Sequence, residues 1–260
     1  MGLDFTRVEP GLVYKSASQR ARVLTESWLE HNGFCPACGS WLRKTANNSR
    51  VLDFMCANCD ANFELKSKNG KFGNLIVDGA YEAMMAAIRS SSPPNLFLLN
   101  YQLPFAVSRL SILPRRFLVE PIVIKRKPLS STAKRAGWVG CNLNLTLVPR
   151  GARIDFVVDG IALPREQVMK SWEKTAPLDE VSNKARGWLA VTLGIVDRLN
   201  KPVFAISDVY DHEAQLSKIF PENRNIRAKL RQQLQLLRDI RLIEFLGNGK
   251  YASRPNGRSF

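Results

Sequence analysis

Three residues of the segment V-L-D-F-M-C-A-N-C-D-A-N-F-E-L-K-S-K, residues 51–68, are of types that do chemistry on phosphates: Asp53, Glu64 and Lys66. Two carboxylates close together make a place for a hard divalent cation such as Mg2+. A lysine beside them orients a water or steadies negative charge on a phosphate oxygen. The cation would acidify water for attack and offset charge growing on the leaving oxygen. Taken alone, an Asp, ten residues and a Glu-x-Lys form a weak pattern. An alternating Glu and Lys hairpin that merely faces solvent is the alternative.

The same segment carries half of a second constellation. Four of the five cysteines fall as C-P-A-C (Cys35, Cys38) and C-A-N-C (Cys56, Cys59), with seventeen residues between the pairs. That spacing suits a structural zinc ion, each pair wrapping one edge of a tetrahedron. Disulfides are the alternative. No secretory signal opens the chain, and M-G-L-D-F-T matches a myristoylation pattern too short to carry weight. An intracellular chain, whose thiols stay reduced, is therefore expected. Four thiolates leave no open coordination position, so this Zn2+ would hold the fold and do no chemistry. Cys141 stands alone and is expected to be a small buried residue. His31 and His212 have no partners at useful spacing, which argues against histidine catalysis.

The elements that must position these groups can be read from periodicity. Val51 to Phe54 and Ala61 to Ser67 alternate as two short strands, with the Cys56–Cys59 turn in their connection. Folding back through that turn would bring Asp53 opposite Glu64, with Lys66 one step further on the same face. Ser18 to His31 has helical spacing, and its Glu26 is expected to be a surface acid that could also approach the metal. Asp78 to Ile88 reads as a helix with Asp78 as N-cap. N-L-F-L-L-N and F-L-V-E-P-I-V-I-K read as interior strands, and R-I-D-F-V-V-D-G as a strand and turn. L-P-R-E-Q-V-M-K-S-W-E-K shows little pattern, and a linker is placed near residues 174–184.

Between the strands lies K-R-K-P-L-S-S-T-A-K-R-A-G-W-V-G, a loop by composition. Lys125, Arg126, Lys127, Lys134 and Arg135 could grip phosphates around Trp138 as an apolar plate; a solvated basic loop is the alternative. After the linker come an apolar helix that includes Gly194 and a helix expected to start at Ser207 and run through Leu216. The next helix places Ile226, Leu230, Leu234 and Leu237 on one stripe, and the following hairpin turns at Gly247 to Gly249. Three helices and a basic hairpin make a winged helix-turn-helix. Arg227, Arg231 and Gln232 lie off the apolar stripe, where they and Lys250 of the hairpin would meet DNA. From residue 223 onward nine basic residues face two acidic ones, a net +7 that favours nucleic acid over a protein partner.

The whole chain repeats this bias. Its 260 residues carry 38 Lys and Arg against 23 Asp and Glu, a formal +15. Such an excess repels itself unless something anionic offsets it, and counterion release makes nucleic acid the expected partner. An anionic membrane surface is the competing reading, against which stands the lack of a spanning run or a basic amphipathic anchor in the sequence.

The run from Asp53 to Lys66 resembles the core of the PD-(D/E)XK nucleases, with Leu52 where the family name has proline. R-A-R-V-L-T-E-S-W, C-P-A-C-G, D-F-M-C-A-N-C, F-E-L-K-S-K, D-G-A-Y, R-K-P-L-S-S-T-A-K-R-A-G-W-V-G-C-N and R-A-K-L-R-Q-Q-L-Q-L-L-R-D narrow the resemblance to the DpnI-like methyl-directed restriction endonucleases. It implies an α/β fold: a PD-(D/E)XK nuclease domain with a mixed central sheet and a zinc-binding insertion over residues 1–182, then a winged helix over residues 183–260. It implies a cytoplasmic monomer that cuts double-stranded DNA at GATC bearing N6-methyladenine. Asp53 and Glu64 would hold Mg2+, Lys66 would position the water, and Trp138 would lie near the methyl groups. A zinc-containing transcriptional regulator and an RNA-processing nuclease are the rival functions.

Overall fold

The computed structural model describes residues 2–5, 16–45, 52–90, 93–102 and 106–253. In chain order the elements are α1 (Ala17–Asn32), β1 (Leu42–Lys44), β2 (Phe54–Cys56), β3 (Asn62–Asn69), β4 (Leu75–Ala80), α2 (Tyr81–Arg89), β5 (Asn95–Gln102), β6 (Ala106–Leu113), β7 (Val123–Lys125), β8 (Gly140–Asn144), β9 (Ile154–Val158), β10 (Ile161–Ala162), α3 (Arg165–Glu173), α4 (Asn183–Leu199), β11 (Val203–Ala205), α5 (Ile206–Tyr210), α6 (Glu213–Ile219), α7 (Ile226–Asp239), β12 (Ile243–Gly247) and β13 (Lys250–Ser253). Contacts divide the chain into two compact units. One is Met1–Gly73, Arg89–Leu118 and Arg153–Lys174; the other is Asn74–Ile88, Val119–Ala152 and Thr175–Phe260.

The first unit is built on a seven-stranded mixed sheet in the order β1-β2-β3-β5-β6-β9-β10. β3 and β5 run parallel and the other neighbours antiparallel. N-L-F-L-L-N-Y-Q forms β5 because a strand buried on both faces needs a continuous apolar run, and only its last residue is exposed. Phe63 of β3, Phe97 of β5 and Phe156 of β9 interlock on the sheet, with ring centroids 5.2 and 5.4 Å apart. Trp28 and Leu29 of α1 and Val168 and Trp172 of α3 join this core.

α3 answers the segment expected to lack pattern: Val168 and Trp172 are four residues apart on one buried stripe, diluted in sequence by charge. The interior strand expected over F-L-V-E-P-I-V-I-K is not formed. Single 3-10 turns at Arg115–Phe117 and Glu120–Ile122 take its place, and only Val123–Lys125 pairs, at a sheet edge. Pro121 has no N–H to give a central ladder. The residues expected as a linker are ordered too, Ala176–Glu180 forming a 3-10 turn around a fully buried Leu178.

The second unit contains the sheet β4-β8-β7 and, C-terminal to it, four helices with the sheet β11-β13-β12. Asp78 does not cap α2. It lies in β4, and its carboxylate accepts from the Gly79 N–H, where the pairing with β8 slips. The helix expected to run from Ser207 through Leu216 is two helices, broken at Asp211 and His212. Ser207 falls inside the first turn, and the Asp208 carboxylate accepts from the Ala205 N–H at 2.9 Å. Ile226, Leu230, Leu234 and Leu237 of α7 are all buried, as their period requires. Gly247, Asn248 and Gly249 take positive φ at the hairpin tip, which Asn and Gly tolerate.

Gly194 has a packing reason. A Cβ there would lie 2.5 Å from the Leu147 carbonyl oxygen, which is backbone and cannot swing away. Gly194→Ala is therefore expected to destabilise the protein by about 1–3 kcal/mol through overpacking, although alanine favours an isolated helix by about 1 kcal/mol. Chemical denaturation of the two proteins checks the sign.

Candidate active site and metal centre

The four cysteines that could hold zinc come from two turns. After α1 the chain bridges Phe34 to Trp41 and folds tightly between them, Cys35 N–H donating to Ser40 O and Gly39 N–H to Cys35 O, both at 2.8 Å. Gly39 takes φ +76, a left-handed conformation that glycine adopts without cost. The second turn leaves β2 at Cys56 and returns at Ala61, and the N–H groups of Asn58 and Cys59 point at the Cys56 sulfur from 3.4 Å. All four Sγ atoms lie within 4.8 Å of one another, Cys35 to Cys59 at 3.7 Å and Cys38 to Cys56 at 3.4 Å. Those separations are too long for a disulfide, about 2.05 Å. They match the edge of a sulfur tetrahedron around zinc, whose Zn–S bonds are about 2.3 Å. The four thiols could hold a zinc ion, and the cluster joins the end of α1 to the β2–β3 connection. Cys141 is fully buried, and its thiol donates to the Gly79 carbonyl at 3.6 Å.

Asp53 lies just before β2, which begins at Phe54 and not at Val51; Val51 itself is outside the described residues. Phe54 is the ladder partner of Phe63, yet the Asp53 N–H also donates to Phe63 O at 3.0 Å. Two residues answering to one re-aim a side chain, as bulges do. The Asp53 carboxylate consequently takes the Leu65 N–H at 2.8 Å. Leu65 stands between Glu64 and Lys66, so Asp53 is held at the backbone that carries both. Lys66 Nζ donates to Glu64 Oε1. The Thr45 N–H fixes Asp53 from the other side, donating to its carbonyl at 3.0 Å.

Glu26 is not the surface acid expected. It is 5% exposed, clamped by Arg22 one helical turn back and by Lys44 Nζ of β1 at 2.7 Å. Burial raises the Asp53 carboxyl above its ordinary range; the Leu65 N–H opposes the shift and Glu26 adds to it. Arg22 and Lys66 act in the opposite sense to Glu26. A cation placed near these carboxylates would relieve both the cost of burial and the like-charge repulsion.

The basic segment is an ordered arm. Arg126 N–H donates to Gly140 O and Leu129 N–H to Trp138 O, extending the β7–β8 pairing. Arg126, Lys127, Lys134 and Arg135 are exposed. Arg135 lies 4.5 Å over the Trp138 ring, and Lys125 lies 3.9 Å from Glu82 and 4.9 Å over Tyr81. Trp138 sits so close to Gly140 that a Cβ there would meet the ring at 2.8 Å, which explains the glycine.

On α7 the predicted contact residues divide. Arg231 and Gln232 are exposed, Gln232 accepting from Lys229 Nζ at 2.7 Å, whereas Arg227 is paired with Glu213 at 2.7 Å. Lys250 is exposed at the start of β13. A cavity of about 620 Å³ opens at the N-terminal end of α7, lined by Asn225, Lys229, Gln232 and Arg224 among others. Arg224 and Lys229 were legible only as charge, since their place depends on where the helix starts. The Asp53 cluster belongs to one compact unit, and the basic arm and α7 to the other.

Among the described residues no helix is long and apolar enough to cross a membrane. The family model of DpnI, the Dam-replacing family, matches residues 3–181. The model of the Dam-replacing HTH domain matches residues 184–253. The second match falls on the helices and hairpin that a helix-turn-helix requires, and it implies binding to DNA. The chain belongs to the DpnI, or Dam-replacing, family, which implies a methylation-dependent restriction endonuclease acting on DNA.

Proposed function

We propose that the protein is a type II restriction endonuclease of PD-(D/E)XK architecture, cutting double-stranded DNA at GATC bearing N6-methyladenine. The observation that carries this is the Asp53 carboxylate bound to the amide between Glu64 and Lys66. Asp53 and Glu64 hold Mg2+, which when bound supplies Lewis acidity at the scissile phosphate. Lys66, within reach of Glu64, orients the attacking water and steadies charge on the phosphate. In-line attack at phosphorus breaks the bond to the 3′ oxygen and leaves a 5′-phosphate.

In this proposal residues 1–182 form the nuclease domain, braced by zinc on Cys35, Cys38, Cys56 and Cys59, and residues 183–260 form the winged helix. Trp138 reads the adenine methyl groups as added apolar surface in the major groove. Lys125, Arg126, Lys127, Lys134 and Arg135 grip the surrounding phosphates. Arg227, Arg231, Gln232 and Lys250 hold a methylated site through the second domain, and one chain suffices. Methylated and unmethylated plasmid, each with Mg2+ or EDTA, test it. Cleavage only of methylated plasmid with Mg2+ is expected. Tight binding without cleavage indicates a regulator, and cutting regardless of methylation removes the specificity while leaving the nuclease.

A further inference from the structure

β3 alternates, so Asn62, Glu64 and Lys66 share one face while Phe63 and Leu65 share the other. Met55 is the ladder partner of Asn62, and Arg43 is the partner of Met55. Arg43, Met55 and Asn62 thus form one transverse row on the face of Glu64 and Lys66, across β1, β2 and β3. The adjacent row, Lys44, Phe54 and Phe63, faces the opposite way. Phe54 and Phe63 are fully buried there, and Lys44 is paired with Glu26 of α1, so α1 covers that side.

The Arg43 row is open. Met55 is 49% exposed, and Arg43 is exposed without an ion pair among the described residues. The row stands two residues along β3 from Glu64, about 7 Å at the usual strand rise. Two strand spacings of about 4.8 Å each then place the Arg43 Cα roughly 12 Å from that of Glu64 on the same surface.

We propose that Arg43 and Met55 carry the nucleotide next to the scissile phosphate: the Arg43 guanidinium takes the adjoining phosphate of the strand being cut, and the Met55 thioether supports its sugar. This rests on the nuclease reading of Asp53, Glu64 and Lys66. Two things select a nucleic-acid strand as the occupant: continuity of this face with Glu64 and Lys66, and a guanidinium without an ion pair among the described residues, in a chain of formal charge +15. The zinc cluster gains a second consequence, because Cys56 closes β2 and so fixes Met55 in place.

The test is cleavage of an adenine-methylated duplex by the full chain and its Arg43→Gln and Arg43→Lys variants at several salt concentrations. For Arg43→Gln, kcat/KM is expected to fall about tenfold, mostly through KM, as loss of a charged hydrogen bond implies. Its salt dependence should become shallower by about 0.9 in log–log slope. Arg43→Lys should restore the slope, and the melting temperature should stay unchanged. Unaltered kcat/KM and slope overturn the proposal, as does a loss that accompanies a lowered melting temperature and that lysine leaves unrepaired.

A photo-crosslinker, p-benzoylphenylalanine in place of Met55 or of Ile161, reports on the row independently of cleavage. Ile161 is the control, 69% exposed on β10 at the far edge of the sheet. Crosslinking of duplex DNA from position 55 well above that from 161 is expected in EDTA. Equal yields overturn the proposal whether or not DNA is cut. Failure of the unsubstituted protein to cut removes the nuclease reading, and the crosslinking ratio still decides whether this row binds DNA.

Discussion

Chelating zinc from the Cys35, Cys38, Cys56 and Cys59 cluster is expected to unfold the unit that carries Asp53, whereas withholding Mg2+ should leave it folded. The cluster stands where the end of α1 meets the β2–β3 turn, and no other covalent or metal crosslink joins these segments among the described residues. β1 and β2 have only three residues each, too short to hold their register alone. Zinc on four thiolates contributes about 10–16 kcal/mol in zinc-dependent folds, as large as the whole stability of a domain, about 5–15 kcal/mol. Cys56→Ser should therefore lose both bound zinc and the cooperative transition of the sheet unit. Identical thermal melts with and without chelator, at verified zinc loss, would contradict this.

The second large effect is on chemistry. Lys66→Ala is expected to lower the single-turnover rate on methylated duplex by about 10²–10³-fold, or 3–4 kcal/mol, as removal of a preorganised charge-stabilising donor does. Glu64→Gln should cost a similar factor. The double substitution should cost far less than the product of the two, because groups acting as a unit fail together. Affinity for methylated duplex in EDTA should change little in all three. Additive losses would mean that Lys66 and Glu64, despite their contact, do not serve one step.

Asp53 also predicts a pH dependence. Burial raises its folded-state carboxyl above the ordinary aspartate value of 3.8. The folded protein then binds the proton more tightly than the unfolded chain, so stability falls as pH rises from that value through the raised one. Asp53→Asn lacks this loss. In metal-free buffer its melting temperature should move above that of the unsubstituted protein as pH climbs from about 4 toward neutrality, in the direction linkage requires. Added Mg2+ should narrow the difference. A gap that stays constant with pH would mean that the buried carboxylate carries no strain.

How much of this was legible depends on whether a signal is local. Phe63 and Leu65 against Glu64 and Lys66 is a period-two pattern that needs only the β3 segment, and the two Cys-x2-Cys pairs need only their spacing. β5 was legible because its apolar run has no polar interruption. Glu26 was not: Lys44, eighteen positions further on, and the core around Trp28 decide its burial. α3 was hidden because two buried residues, Val168 and Trp172, suffice to dock it while the rest of its turns stay charged. The 117–122 stretch misled through its composition, since apolar residues that satisfy a strand pattern also fill a buried 3-10 turn once Pro121 blocks the ladder. The parallel pairing of β3 with β5 is set by the chain between them and left no mark in either strand.

Asp53, at the amide between Glu64 and Lys66, is proposed to belong to a hydrolytic centre. The rate of cutting of preassembled methylated duplex after Mg2+ addition, compared between Asp53→Asn and the unsubstituted protein at saturating concentration, addresses it most directly. A fall of at least about 10²-fold, with duplex binding retained, is expected from loss of a group that holds the reacting charge. Cutting by Asp53→Asn within a few-fold of the original rate would place the chemistry elsewhere in the molecule.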